Sequence, residues 1–142
     1  MSFDLELVNN DLKIKPNRTI STVSDTPKLR QDIIKIIVIP LGSMKNYPWY
    51  GCAVGDNIIG KNLPKNIFDS QINESIKKSL ENLQMLQQSQ SATQKVTAAE
   101  MIKMIVDVHA ERDIDDPRKI NIVVCVLTNR LTKVDEYFTI TQ

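Results

Sequence analysis

Apolar and polar positions alternate at both ends of the chain and recur at helical spacing in the middle. Asp4-Leu5-Glu6-Leu7-Val8 and Leu12-Lys13-Ile14 flank Asn9-Asn10-Asp11. Two alternating runs around an Asn/Asp turn predict a β-hairpin, with Leu5, Leu7, Leu12 and Ile14 on its buried face. Pro16 to Ser24 is polar and predicted irregular. From Asp25 the period lengthens. Asp25 is a good N-cap and Pro27 fits a first helical turn, where a missing N–H costs nothing. Leu29, Ile33, Ile36 and Ile37 then form a stripe that Ile34, Val38 and Ile39 widen. A first helix buried on most sides is expected, ended by Pro40 and Gly42.

Gly42 to Leu63 lacks a period and holds all four glycines and the single tryptophan. Tyr47, Trp49 and Tyr50 are expected to pin this loop to the domain. Pro64 opens a second helix on which Phe68, Ile72, Ile76, Leu80 and Leu83 step by three or four residues. It is predicted to end near residue 87, with the Gln/Ser-rich stretch Gln84 to Gln94 frayed or solvated. The N-terminal half of this helix suits the core, and its Leu80, Leu83 and Leu86 end could project into partner helices.

The last third reads as three strands with short turns. Ile102, Met104, Val106, Val108 and Ala110 alternate with Lys103, Ile105, Asp107, His109 and Glu111. Asp115-Asp116-Pro117 marks a turn, and Ile120 to Leu127 is a β-branched central strand. After a turn over Asn129 to Lys133, Val134 to Ile140 alternates again, with Phe138 and Ile140 inward and Tyr137 and Thr139 outward. No β-α-β alternation appears. The predicted architecture is a single α+β domain over residues 1–142: an N-terminal hairpin, two main helices and a C-terminal three-stranded antiparallel meander.

Composition narrows the function. The 142 residues carry 18 basic and 17 acidic side chains, a net charge of +1, and only 5% aromatics. That balance supplies neither a field for nucleic acid or anionic membrane nor a base-stacking surface. No apolar run reaches a membrane span, and Met1-Ser2-Phe3-Asp4 lacks the pattern of a secretory leader. Cys52 and Cys125 fit neither a zinc motif nor a disulfide framework.

Gly55-Asp56-Asn57-Ile58-Ile59-Gly60-Lys61-Asn62 approaches the phosphate-cradling loop G-x-x-x-x-G-K-[ST]. Asn62 stands where the magnesium-holding hydroxyl belongs, and Pro64 delays the helix. The lone His109 falls on a polar strand face, where no triad or multi-histidine metal site can be built around it. Glu74, Glu81, Asp115 and Asp116 sit in solvated settings without the apolar surroundings that raise a catalytic carboxyl. The expectation is a chain with no catalytic, cofactor or metal residues.

The loop Gly42-x-x-x-x-x-Pro48-x-Tyr50-Gly51 lies between a buried helix and a long amphipathic one. With Leu29-Arg30-Gln31-Asp32-Ile33-Ile34 and Asp4-Leu5-Glu6-Leu7…Asn10-Asp11-Leu12, it resembles the baseplate wedge and sheath-initiator family of contractile phage tails, which has relatives in type VI secretion baseplates. The resemblance covers about four-fifths of the chain. One departure stands out: members carry a Glu-Pro-Arg-type signature where this chain has Ala98-Ala99-Glu100.

The resemblance implies a non-enzymatic subunit, present in several copies in a symmetric assembly, that joins other wedge proteins and templates the tail sheath. It implies residence in the virion, after assembly in the host cytoplasm. A strand spanning Val134, Tyr137 and Thr139 would then be the edge that accepts a strand of the sheath protein. Deleting residues after Thr132 is expected to leave soluble wedges without sheaths. The rivals are a glycan-cleaving, lysozyme-like baseplate enzyme and an unrelated module whose Gly42–Leu63 loop holds a small ligand.

Overall fold

The computed structural model describes residues 2–9, 11–54 and 63–141. In chain order these form β1 (Asp4–Leu5), β2 (Leu7–Val8), β3 (Asp11–Leu12), β4 (Thr22–Val23), α1 (Asp25–Val38), α2 (Lys65–Ser91), β5 (Ile102–Arg112), β6 (Lys119–Thr128) and β7 (Lys133–Thr141). The fold is α+β. β5, β6 and β7 make a three-stranded antiparallel sheet in that spatial order. α2 packs on β5, and α1 packs on α2 and β7. Leu29, Ile33, Ile36 and Ile37 of α1 and Phe68, Ile72, Ile76, Leu80 and Leu83 of α2 meet Ile120, Ile122, Val124, Val126 and Val134 of the sheet. One core therefore lies between two helices and one face of a sheet. Val123 and Tyr137, on the other face, are exposed.

β6 keeps strict alternation, its even-numbered residues from Ile120 to Thr128 buried. β5 does not. Its pairing with β6 slips between Ile102 and Met104 and again between Ile105 and Asp107. Each slip inserts an unpaired residue and reverses which side chains point inward. Met104 and Val106, expected inside, are exposed, while Ile105 packs against the core. The second slip restores the original parity, so Val108 and Ala110 point inward as expected.

The N-terminal hairpin forms with the expected turn. Leu7 pairs with Leu12 and Val8 with Asp11, and Asn9 takes φ 52°, a conformation asparagine tolerates. Its burial does not follow. Leu5, Leu7, Leu12 and Ile14 are between 40% and 67% exposed. The segment folds largely on itself, β1 pairing with β4 and Ile14 with Ile20. It meets α1 through polar groups: Gln31 Oε1 accepts the Leu7 N–H at 3.0 Å, Gln31 Nε2 donates to Leu5 O at 2.8 Å, and Lys35 binds Asp4.

Three helix expectations are also corrected. Val38 is exposed, so the core-facing stripe of α1 is narrower than its Ile/Val content implies. Ser24 occupies the N-cap position, and Asp25 is the first helical residue, with φ 54°. α2 continues to Ser91 because its glutamines are bonded to the next strand. Gln87 is buried, its Nε2 donating to Glu100 O at 2.7 Å and its Oε1 accepting the Ile102 N–H at 2.9 Å.

Candidate functional site

The two margins of the sheet differ. Along β5, α2 supplies amide side chains to backbone groups of that strand and the turn before it. Asn73 Oδ1 accepts the Ala110 N–H at 2.8 Å, Gln84 Nε2 donates to Lys103 O at 2.9 Å, and Gln87 bridges Glu100 and Ile102. The helix caps these groups, and the two slips bend the margin further.

Among the described residues, β7 has one such contact. Thr128 donates its N–H to Thr132 O at 3.0 Å. Stepping by two through Val126↔Val134, Val124↔Glu136 and Ile122↔Phe138, even-numbered residues of β7 bond to β6. The main-chain groups of Asp135, Tyr137 and Thr139 then point away from it. Asp135 O agrees with that parity, because Arg30 Nη1 of α1 donates to it from outside the sheet. Among the described residues, the main-chain groups of Tyr137 and Thr139 have no such partner.

The predicted edge residues therefore separate. Tyr137 is 64% exposed and Thr139 is exposed, its Oγ1 donating to Asn121 Oδ1 at 2.9 Å. Val134 is 1% exposed and belongs to the core. It cannot touch a partner without unpacking the sheet.

The family-like loop builds a second surface. The chain returns after Pro48 so that Cys52 N–H donates to Ile39 O at 2.9 Å and Leu41 N–H to Cys52 O at 3.1 Å. Gly51, at φ +118°, makes this possible: a Cβ there would lie 2.6 Å from Ile39 O. Ser79 Oγ donates to Gly51 O at 2.9 Å, fastening the loop to α2. Gly42 takes φ +81° with open space around it, and Pro48 is exposed.

Tyr47, Trp49 and Tyr50 stack edge to face in sequence. Burial, with Asp32 and Asp4 nearby, pushes the Tyr50 hydroxyl up to about 12. The loop and α2 enclose a groove of about 810 Å³ lined by Met44, Tyr47, Trp49, Met85 and Leu86 among others. Of the predicted helix contacts, only the half-buried Leu86 reaches this surface. Leu80 and Leu83 are core residues, because the packed stripe of α2 runs past them to Gln87.

One cluster escapes the pattern of apolar residues. Glu100, in the Ala98-Ala99-Glu100 turn, is fully buried. Its Oε2 accepts the Thr97 N–H at 3.0 Å and its Oε1 the Asp25 N–H at 3.4 Å, while Thr97 Oγ1 donates to Asp25 Oδ1 at 2.6 Å. The spacing Thr97-x-x-Glu100 is that of a capping box, which is the sequence sign of this joint. It ties the start of α1 to the turn before β5.

The remaining chemistry-bearing residues are scattered. His109 lies 3.6 Å from Glu111, both side chains more than half exposed. Burial raises the Cys52 thiol, and a hydrogen bond to Asp135, with burial, raises Cys125. Glu74, Glu81 and Asp115 are exposed. Asp116 is held below the usual carboxylate range, mainly by the Arg118 N–H. Among the described residues no group of three His, Cys, Asp or Glu side chains is placed to hold a metal ion, and no helix is long and apolar enough to cross a membrane. The phosphate-loop-like stretch 55–62 lies outside the described residues.

No protein-family model matches the chain, and no curated protein sequence does. A crystal structure from Geobacter sulfurreducens, of a protein named "putative tail lysozyme", is similar with a TM-score of 0.58 and 13% identity. The match covers 80% of this chain and 87% of that one. At that identity, what the two chains share is the α+β fold.

Proposed function

We propose that this chain is a structural subunit of a contractile tail baseplate, joining the wedge and templating the tail sheath by accepting a strand on β7. The carrying observation is the asymmetry of the sheet: α2 side chains cap the Ala110 N–H and Lys103 O on the β5 margin, while β7 leaves the main chain of Tyr137 and Thr139 facing outward. Strand addition there gains main-chain hydrogen bonds at little cost in rearrangement. The fold likeness to a protein whose name places it in a tail supports the setting. On this reading the partners are other wedge proteins and the sheath protein, several copies act in one symmetric particle, and the chain resides in the virion without catalysing a reaction.

Thr139→Pro is the direct test, since proline removes one outward N–H and is tolerated on an edge strand. Particles carrying it should assemble wedges that contain the subunit and lack sheaths in negative-stain images. Sheaths of normal length and number on such particles would overturn the proposal.

The glycan-cleaving alternative draws on the neighbour's name. Glycoside hydrolysis needs two carboxyl groups facing each other across a bound sugar. The groove's lining residues include no carboxylate, and Asp4 and Asp32 are paired with Lys35 and Lys28. Dye release from labelled cell wall by the purified chain would revive that alternative.

A further inference from the structure

We propose that Arg30 is a stop on the open margin of the sheet, confining an added strand to Tyr137–Thr141 and keeping two copies of this chain from pairing β7 to β7 in the register centred on Tyr137. The inference rests on β7 being the accepting edge.

Arg30 leaves α1 toward the lower end of β7. Its Nη1 donates to Asp135 O and, at 2.9 Å, to Glu136 Oε2. Glu136 bonds its main chain toward β6 and turns its carboxylate to the helix side, where its side chain is only 16% exposed. The carboxylate thus holds the guanidinium at the rim, over a carbonyl that an arriving strand would need. A charge-assisted bond to a partly buried carboxylate is stronger than one rung of a sheet. A strand zipping along β7 therefore halts before Asp135.

Self-pairing is the hazard that such a stop removes. Identical edges pair about a twofold axis, so each contact occurs twice. An antiparallel pairing centred on Tyr137 would set Asp135 of one copy against Thr139 of the other at both ends. Arg30 blocks both ends together. The strand needs this guard: Tyr137, Phe138, Thr139 and Ile140 are strong strand formers, and an uncovered edge of that composition aggregates. A partner strand that uses only Tyr137 to Thr141 never meets the stop.

The test uses the full chain by itself, compared by sedimentation velocity over a roughly thirtyfold concentration range. Amide exchange at Asp135, Tyr137 and Thr139 is read alongside. The unaltered chain should sediment independently of concentration and exchange quickly at Tyr137 and Thr139. Arg30→Ala should dimerise, with those amides slowing at least about tenfold at the highest concentration. Glu136→Gln keeps the arginine but removes its anchor, and should shift the same way to a smaller extent. Adding Thr139→Pro to Arg30→Ala should restore the monomer.

Dimers of the unaltered chain that slow the Asp135 amide, monomeric Arg30→Ala and Glu136→Gln, or a dimer that survives Thr139→Pro would each overturn the proposal. No sheath is involved in this measurement. A failed stop leaves the sheath test untouched, and a failed sheath test leaves the stop measurable.

Discussion

Gly51 and Glu100 each hold a joint that no apolar pattern announces. At Gly51 the left-handed backbone and the 2.6 Å approach of a virtual Cβ to Ile39 O act together. Gly51→Ala must either strain the backbone or part the Pro40–Cys52 rung. A loss of about 2–4 kcal/mol is expected by urea denaturation. Glu100 is fully buried and accepts two main-chain N–H groups. Glu100→Ala leaves both donors without a partner, at a cost of about 2–4 kcal/mol. Faster amide exchange at Asp25 and Thr97 would locate the damage, and unchanged exchange there would contradict the assignment. The glycine was visible in the sequence as a loop residue. The glutamate's spacing from Thr97 marks a capping box, but nothing in that spacing tells a buried carboxylate from a solvated one.

At the scale of elements, the two helices and the meander were legible because their apolar residues recur over many turns and rungs. β5 was legible as a strand but not in its facing, since two unpaired residues each reverse the alternation and neither Lys103 nor Val106 marks a slip. The end of α2 was hidden because Gln84 and Gln87 look like solvent-facing residues until β5 is beside them. The burial of the hairpin was over-read: alternation predicts a strand whether or not anything covers it.

What holds that hairpin to α1 is polar and therefore sensitive to acid. Burial alone would raise the Asp4 carboxyl, but bonds from Lys35, the Leu5 N–H and Gln31 outweigh it and hold the group below its ordinary value. A carboxyl depressed in the folded state stabilises above its unfolded value, about 3.9, and loses that contribution as pH falls through the folded one. Asp32 runs the other way, since burial, the largest influence on it, leaves its carboxyl raised and protonation relieves it. Protection at Leu5 and Leu7, taken relative to the intrinsic exchange rate at each pH, should therefore fall below about pH 4 while the meander stays protected, and Asp4→Asn should abolish that pH dependence.

For the molecule as a whole, β7 is both margin and core. Val134 is buried, and Phe138 and Ile140 pack against the core. Removing residues after Thr132 would strip these from the core and bare β6 as a new edge. Such a truncation should be insoluble or unfolded by circular dichroism, contrary to the soluble wedges that the sequence led us to expect. Thr139→Pro is the cleaner probe because it removes one outward N–H and, besides that, only the exposed Thr139–Asn121 bond; a well-folded truncation would show that β7 contributes little to the core.

The amides that α2 lays along β5 have an arithmetic consequence. With part of one flank capped from within, the acceptor we propose is β7 alone, one per molecule. On that proposal, strands recruited would match molecules present one for one. A ring of such units would fix the number of its followers by simple headcount.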